Sequence, residues 1–420
     1  MSKPTFIISC PFDTHSGYGA RSRDIVKAII ELDKYDVKLL PQRWGNTSWG
    51  FCKKNKEWEF LLSYIAPPDW NKSKPDIWMQ ITIPSEFQPM GKYNIGCTAG
   101  IETTACKAEW IEGLNRMDMN WVSSNHSKKT FQAMLYTKAN QQTGETIGEV
   151  KSIKPMHVIF EGANLDVYSP LKDKNSIDLS NVREGFNYLF VGHWMQGELG
   201  HDRKNVGYML KAFFETFKNK KRKPGLILKA SIGVDSYIGR DEILKRIKKI
   251  RKSVNSKDLP NVYLLSGELS DHEMNELYRH SKVKAMVSFT KGEGYGRPLL
   301  EFSLTGKPIL ASGWSGQVDF LNKNFVTLLN GDLEPVHKSA ANQWIIPESQ
   351  WFKVNDMSVG NALLDTFNNY KTFKLKSSHQ GKYSKSNFSF EKMKELVGNV
   401  LDANIPEFPK QLDLKLTKID

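Results

Sequence analysis

The segment KGEGYGRPLLEF (291–302) contains a glycine-rich turn and two glutamates. Glu293 lies in the turn, and Glu301 lies eight positions later, in a helical pattern that follows Pro298. The apolar run KAMVSF (284–289) precedes the turn and predicts a strand. Backbone N–H groups in such a turn attract anions, whereas two carboxylates repel phosphate and accept hydrogen bonds from hydroxyl groups. The segment therefore predicts a site for a ligand that carries phosphate together with sugar and ribose hydroxyls.

A second glycine-containing turn, SGYGARSR (16–23), follows the first predicted strand. Gly17 and Gly19 would let a ligand approach the backbone at the start of the next helix. Arg21 and Arg23 could then reach a phosphate or simply face water. An ordinary strand-to-helix turn would have the same composition, because glycine is common in turns.

Short apolar runs alternate with helical patterns along the whole chain, which is typical of parallel sheets built from βαβ units. The polar segment 162–186 separates two such series and reads as a linker, so we expect two doubly wound α/β domains with a cleft between them. Residues 41–75 predict loop or irregular structure. The predicted strands are 5–10, 36–40, 76–83, 94–99, 119–124, 156–160, 187–191, 225–230, 261–266, 284–289, 308–311 and 325–329, and the predicted helices are 20–32, 206–218, 239–253 and one in the tail from 385.

The composition is that of a globular protein: 420 residues, with 40% hydrophobic and 25% charged residues. This composition excludes collagen-like, coiled-coil and wholly disordered chains. The first residues lack the pattern of a signal peptide, and no apolar run reaches the ~20 residues that span a bilayer. We therefore expect an intracellular, cytoplasmic protein whose four cysteines are buried free thiols. The net charge of +13 favours contact with a polyanion.

The segment EGYGRPLLE (293–301) resembles the E-x7-E motif of retaining GT-B glycosyltransferases, the large family-four group that uses nucleotide-sugar donors. The segments 95–131, 158–170 and 190–213 resemble, in the same order, further parts of these enzymes. The resemblance implies a GT-B fold, in which two Rossmann-like domains face each other across a cleft. It implies an acceptor-side domain at 1–170, a donor domain at 171–385, and a C-terminal helix and tail at 386–420 that return to the first domain.

The resemblance also implies roles for four side chains. Glu301 would bind the ribose hydroxyls of the nucleotide, and Glu293 would lie against the transferred sugar. Lys204 would neutralise the diphosphate, with its neighbour Arg203 as a second cation, although an exposed surface pair is the alternative for both. His193 stands where the family often has arginine, so the choice between the two cations stays open.

The remaining expected site residues lie in the two glycine-containing turns and near the cleft. Backbone N–H groups from Gly294 through Leu300 would face the sugar and diphosphate. The expected donor-binding set is Glu301, Gly294, Tyr295, Gly296, Arg297, Pro298, Leu299, Leu300, Gly17 and Gly19. The acceptor-side candidates are Tyr18, Glu102 and His126; Glu102 could instead cap the next helix, and His126 could simply be packed. No HExxH motif and no DxD-type carboxylate pair occurs, so we expect a metal-independent reaction with a UDP-, GDP- or ADP-sugar as substrate and no other cofactor.

The acceptor remains open between two classes. Basic runs at 218–223 and 245–252 are either solvated faces or contacts for a polyanion. The favoured acceptor is DNA that carries a hydroxylated base, such as a hydroxymethyl base, and such a hexosyl- or pentosyltransferase would act in the cytoplasm of, for example, a phage-infected host cell. The alternative is a saccharide or lipid-linked acceptor at an anionic membrane surface, in polysaccharide or cell-surface glycan synthesis. An inactive nucleic-acid-binding relative and an epimerase on the same fold are the other readings.

Overall fold

The computed structural model describes residues 3–140, 142–171, 177–233 and 236–408. Its strands are β1 (Thr5–Cys10), β2 (Asp36–Pro41), β3 (Ile77–Ile81), β4 (Tyr93–Cys97), β5 (Met119–Val122), β6 (Leu135–Ala139), β7 (Thr146–Lys151), β8 (Met156–Val158), β9 (Asn187–His193), β10 (Gly225–Ser231), β11 (Val262–Leu265), β12 (Val283–Ser288), β13 (Ile309–Ser312), β14 (Thr327–Leu329), β15 (Gly331–Pro335) and β16 (Gln350–Val354). Its α-helices are α1 (Gly17–Glu31), α2 (Phe51–Lys54), α3 (Ala108–Arg116), α4 (Asn125–Ala133), α5 (Val206–Phe217), α6 (Tyr237–Ser253), α7 (Asp271–Arg279), α8 (Arg297–Ser303), α9 (Asp356–Asn368), α10 (Tyr370–Asn387) and α11 (Phe390–Asn404).

Two six-stranded parallel sheets form the framework of the molecule. The strand order is β2-β1-β3-β4-β5-β8 in the first sheet and β11-β10-β9-β12-β13-β14 in the second. Helices cover both faces, so central strands are buried throughout; every residue of β3, for example, is buried. In the first sheet β2 lies on one side of β1, and the chain then crosses to β3 on the other side. In the second sheet β10 and β11 lie on one side of β9, and the chain then crosses to β12 on the other side. Loops at the carboxyl ends next to this reversal are where an open α/β sheet binds ligands.

The C-terminal helices connect the two halves. α10 packs on α8 of the second domain, whereas α11 packs on α1 of the first. The helical conformation is interrupted between them at Phe388, the C-cap of α10. The Ser389 side chain caps α11 by accepting a hydrogen bond from the Lys392 N–H. At this point Ala163 of the interdomain crossover (residues 158–170) donates to the Phe388 carbonyl at 2.9 Å and accepts from the Phe390 N–H at 2.8 Å. The expected helix that returns to the first domain is confirmed, and it begins at Phe390.

The strand series agrees closely with the sequence prediction, and the differences are local. α1 begins at Gly17, three residues before the expected start, because Ser16 caps it. Two antiparallel hairpins, β6–β7 and β15–β16, were not predicted. Residues 41–75 contain α2 and two short 3-10 helices within otherwise irregular chain. The predicted domain limits at 170/171 and 385/386 stay predictions.

All four cysteines are buried free thiols, as expected. Burial, with a smaller contribution from Glu109, raises the pKa of Cys106 to about 12, so that thiol is inert at neutral pH. Among the residues described, no helix combines the length and the apolar character needed to cross a bilayer.

Candidate active site

The carboxyl ends of the two sheets face each other, and the loops that follow β4 and β12 meet there. A Cβ at Gly292 would lie 1.8 Å from the carbonyl oxygen of Glu102 in the first domain. A Cβ at Gly294 would lie 2.3 Å from the carbonyl oxygen of Ala99. Only glycine lets the two backbones approach so closely, so this turn is part of the domain interface. Its position leaves Glu293 between the two domains.

Replacing Gly292 with alanine is expected to lower the free energy of unfolding by about 1–3 kcal/mol, because the added methyl group collides with backbone rather than with a movable side chain. Urea denaturation of the purified variant measures this loss. Gly185→Ala is the control, since nothing lies within 4 Å of the position a Cβ would take there. Equal stability of the two variants would contradict the tight contact between the loops.

Lys204 and Arg203 converge on Glu293. The Lys204 Nζ lies 2.5 Å from Glu293 Oε1, and the Arg203 Nη1 lies 3.3 Å from Glu293 Oε2. Arg203 Nη1 also donates to the Gly292 carbonyl at 2.8 Å. The other guanidinium nitrogen, Nη2, lies 3.7 Å from Oε1 of Glu102 in the first domain. Only 12% of the Arg203 side chain and 14% of the Lys204 side chain are exposed, which excludes the reading as an exposed surface pair.

The charges of this cluster support one another. Burial by itself raises the pKa of Glu293, but Lys204 and Arg203 outweigh it and hold that pKa below its usual range. Glu293 is therefore ionised at neutral pH. Its backbone is fixed as well, since the Glu293 N–H donates to the Ser315 hydroxyl at 2.9 Å. A diphosphate that entered here would meet two cations already held in place, and would compete with Glu293 for them.

Arg297 is the centre of a second buried cluster. Its Nε donates to Glu301 Oε1 at 2.9 Å, one helical turn away in α8. Its Nη1 forms an ion pair with Asp24 of α1 and lies 4.0 Å from Glu161 of the crossover. The Tyr278 hydroxyl donates to Glu301 Oε2 at 3.3 Å. One guanidinium thus joins both domains and the segment between them, and it orients the carboxylate expected to bind ribose.

Glu301 is expected to make folding stability depend on pH. Burial, with a smaller contribution from Asp271, raises the Glu301 pKa to about 7 against the opposing effect of Arg297. An unfolded glutamate titrates at 4.5, so between the two values the folded protein binds more protons and stability falls as pH rises. The expected fall is up to about 1.4 kcal/mol per pH unit. Glu301→Gln should flatten this dependence, which melting temperatures at about pH 5, 6, 7 and 8 would measure; identical profiles would contradict it.

The glycine-rich turn offers fewer N–H groups than the sequence predicts. α8 has seven residues, and the N–H groups of Leu299 and Leu300 both donate to the Gly296 carbonyl, at 2.9 and 3.3 Å. They cannot also face a diphosphate, so the expectation for these two is wrong. The side chains of Tyr295, Leu299 and Leu300 are buried in the core of the second domain. α8 begins at Arg297, one residue before the predicted start at Pro298, and its N-cap Gly296 has φ 104°.

The turn at 16–23 has a different role from the one its arginines suggest. Gly19 is required for packing, because a Cβ there would lie 2.3 Å from the Thr14 carbonyl oxygen. Gly17 has open space around its α-carbon, as a ligand contact would need. Arg21 and Arg23 reach neither phosphate nor water: both are buried, and both donate to backbone carbonyls of the first domain. The prediction for the two arginines is therefore wrong.

Aromatic rings lie on the first-domain side of the cleft. Tyr18 stacks on Trp44 with ring centroids 3.8 Å apart, and its hydroxyl lies 2.9 Å from the Thr98 hydroxyl. His126 contacts Trp314 of the second domain edge to face at 4.6 Å. Burial lowers the pKa of His126 to about 4, so it is neutral at pH 7 and packed between the domains.

Glu102 lies in the cleft and not at a helix start. The next helix, α3, begins at Ala108 with Lys107 as its N-cap, so the capping alternative for Glu102 is wrong. The hairpin β15–β16 reaches the same loop from the second domain. Gln350 exchanges hydrogen bonds of 2.9 Å with Thr104, one through the Gln350 carbonyl and one through the Thr104 hydroxyl. The segment 330–356 thus borders the cleft directly.

Sequence reasoning missed Asp24, Glu161, Ser315 and Trp44. Asp24 lies 273 positions from Arg297, and no local pattern indicates such a pair. Trp44 belongs to a stretch in which tryptophans, asparagines and lysines are frequent, but its stacking on Tyr18 depends on the packing of the loop against α1. In the part of the chain that the structure describes, no group of three or more histidine, cysteine, aspartate or glutamate side chains is placed to hold a metal ion.

No protein-family model and no curated protein sequence matches the chain. Solved structures match it over nearly its full length. Sucrose-phosphate synthase from Thermosynechococcus elongatus has a TM-score of 0.61 at 12% identity, covering 96% of this chain and 98% of that chain. Anabaena HepE in complex with UDP-glucose also has a TM-score of 0.61 at 12% identity, covering 95% and 100%. Alpha,alpha-trehalose 6-phosphate synthase from Burkholderia multivorans has 0.59 at 9% identity, covering 96% and 100%. The chain has the GT-B fold of these neighbours, and the predicted fold class is confirmed.

Proposed function

We propose that the protein is a glycosyltransferase that moves a sugar from a nucleotide-sugar donor to a hydroxyl acceptor. The observation that carries this proposal is the convergence of Lys204 and Arg203 on Glu293 at the carboxyl ends of the second sheet, with Glu301 on the helix that follows. Two fixed cations suit a diphosphate, and two carboxylates suit hydroxyl groups. The structure of HepE with UDP-glucose, which shares the fold, supports a uridine donor.

The reaction breaks the bond between the anomeric carbon and the diphosphate oxygen. Negative charge grows on the leaving diphosphate while positive charge grows on the sugar ring. Lys204 and Arg203 would contact the diphosphate in place of Glu293 and stabilise the negative charge of the leaving group. Little reorganisation is needed because both side chains are already largely buried and oriented. Glu293, released from one cation, would accept hydrogen bonds from the sugar hydroxyls.

We propose transfer with retention of the anomeric configuration. The acceptor hydroxyl would attack the anomeric carbon from the face that the diphosphate leaves, and its proton would pass to the departing phosphate oxygen. The new bond joins acceptor oxygen and sugar, and the products are the glycosylated acceptor and a nucleoside diphosphate. The resemblance of residues 293–301 to the motif of retaining enzymes supports this course.

The favoured acceptor is DNA that carries a hydroxylated base. The first domain has exposed cations close to its candidate site residues in the chain: Arg43 after β2, Lys53 and Lys54 in α2, and Lys129 in the middle of α4. In the described part of the chain none of the four forms a salt bridge. A row of such cations suits the phosphates of a strand that passes over the cleft. Trp44, stacked on Tyr18, offers an aromatic face against which an exposed base could lie.

The basic runs at 218–223 and 245–252 do not belong to this surface. The first precedes β10, and the second ends α6, which runs back from the carboxyl end of that strand. The Ser256 hydroxyl, just after α6, donates to the Asn219 side chain at 2.8 Å. Both runs therefore lie at the amino ends of the strands, away from the cleft, and the proposal of a DNA acceptor depends on the cations of the first domain.

A panel of donors and acceptors tests the proposal. The purified protein would be incubated with UDP-, GDP- and ADP-sugars, and the released nucleoside diphosphate measured with and without hydroxymethylated DNA, unmodified DNA, or a glycan or lipid acceptor. Release that only the hydroxymethylated DNA stimulates is expected. Stimulation by a glycan or lipid acceptor instead would replace the DNA acceptor but keep the enzyme class. DNA binding without turnover of any donor would contradict the proposed activity.

A further inference from the structure

A pocket of about 300 Å³ lies on the second domain, away from the cleft. It is bordered by the end of the interdomain crossover, the end of α7, the turn after α8 and one face of α10. This turn follows the carboxyl end of α8, whereas the glycine-rich turn of the candidate active site precedes its amino end. The pocket is therefore separate from the cleft.

Of the described residues that line the pocket, none is a carboxylate and four are cationic: Arg279, Lys374, Lys382 and Lys385. The three lysines lie on one face of α10, at positions i, i+8 and i+11. Among the residues described, none of the four cations forms a salt bridge with an acidic side chain. Cations so grouped repel one another, and among the described residues no carboxylate lines the pocket to balance them.

Two of these cations are fixed by backbone. Lys374 Nζ donates to the carbonyls of Thr305 and Gly306, at 3.1 and 2.9 Å. Arg279 Nη2 donates to the Tyr168 carbonyl at 3.2 Å. These bonds orient the charges but do not neutralise them, because carbonyl groups are uncharged. At Gly381, which lines the pocket, α10 packs closely against the end of α8: a Cβ there would lie 3.2 Å from the Ser303 carbonyl oxygen.

The positive charges of Lys374 and Arg279 also act on the neighbouring side chain of Lys307. Burial, together with Lys374, Lys284 and Arg279, lowers the pKa of Lys307 to about 7. Burial is the larger cause of this shift, and the nearby cations Lys374 and Arg279 of the pocket add to it. A dianion in the pocket would relieve this repulsion, whereas a single carboxylate would balance only one of the four cations.

We propose that this pocket binds a small phosphorylated molecule through Arg279, Lys374, Lys382 and Lys385. A phosphate monoester carries close to two negative charges at neutral pH and three acceptor oxygens, which several cations can share. A volume near 300 Å³ suits a small molecule of this kind rather than a polymer.

Calorimetric titration with inorganic phosphate at constant ionic strength tests the pocket without any sugar donor. Replacing Lys382 and Lys385 together with glutamine should weaken phosphate binding by about tenfold or more, because two of the four cations that line the pocket are lost. Both side chains are exposed and take no part in the hydrogen bonds within the described structure, so the variant should fold. The control, Lys376→Gln with Lys323→Gln, removes two exposed lysines outside the pocket and should bind phosphate as the native protein does.

A second titration excludes binding at the diphosphate cations of the cleft. Saturating UDP should leave phosphate binding unchanged, since the pocket is separate from Lys204 and Arg203. Displacement of phosphate by UDP, or equal phosphate affinity in the native protein and the Lys382→Gln, Lys385→Gln variant, would overturn the proposal. Because phosphate is the probe, this outcome does not depend on whether the protein transfers sugar.

Discussion

Replacing Lys204 with alanine is expected to lower kcat for sugar transfer by about 100-fold or more. The Lys204 Nζ lies 2.5 Å from Glu293 Oε1, and the side chain is largely buried at the cleft. Its positive charge would stabilise the diphosphate as the sugar bond breaks. Loss of this cation removes stabilisation that grows in the transition state, so kcat should fall more than KM rises. Initial rates of nucleoside diphosphate release at several donor concentrations measure both constants.

The control for this variant is Lys211→Ala, an exposed lysine of the neighbouring helix α5. It should keep the native kcat. The circular dichroism of Lys204→Ala should remain that of the native protein, because Arg203 still balances Glu293 at 3.3 Å. A folded Lys204→Ala protein with native kcat would show that leaving-group stabilisation does not depend on this residue.

Replacing Arg297 with methionine is expected to lower the free energy of unfolding by about 3–5 kcal/mol. Methionine keeps most of the side-chain volume but leaves Asp24, Glu161 and Glu301 in one buried cluster without their shared cation. Removing one partner of a buried ion pair is costly because the remaining charges have lost their solvation. Urea denaturation at about pH 8 measures the effect, which should shrink towards about pH 5 as the carboxylates take up protons.

Arg246→Met is the matched control. Arg246 also pairs with a glutamate one turn away, at 3.0 Å from Glu242, but both side chains are exposed by about a third or more. Such a surface pair contributes about 0.3–0.5 kcal/mol, so the control should unfold almost like the native protein. If the two variants lose equal stability, Arg297 is not the link between the domains that the structure indicates.

The sheets were predictable because their strands are local apolar runs. β3 is buried along its whole length, and its sequence IWMQI is apolar at every position but one. The placement of Glu293 and Glu301 was predictable for the same reason, since a strand, a turn and a helix follow one another without interruption. The hairpin strand β15, GDLEP, contains residues that are rare in strands, so the sequence did not indicate it.

The partners of the charged residues could not be predicted from the sequence. Arg23 resembles a surface arginine, but its guanidinium donates to the carbonyls of Phe12 and Thr14 and lies 3.5 Å from the centre of the Phe51 ring. The pairing of Arg297 with Asp24 joins helices of different domains. Both arrangements follow from tertiary packing, which brings together residues whose local sequence carries no sign of the contact.

Binding of nucleoside diphosphates tests the central claim most directly, because it needs neither the acceptor nor turnover. UDP, GDP and ADP would be titrated separately into the native protein and into Glu301→Ala. We predict that one of the three, most simply UDP, binds the native protein at one site and binds Glu301→Ala at least about tenfold more weakly, since the variant cannot accept the ribose hydrogen bonds. Failure of all three nucleotides to bind the folded native protein, or equal affinity in Glu301→Ala, would contradict a nucleotide-sugar site in this cleft.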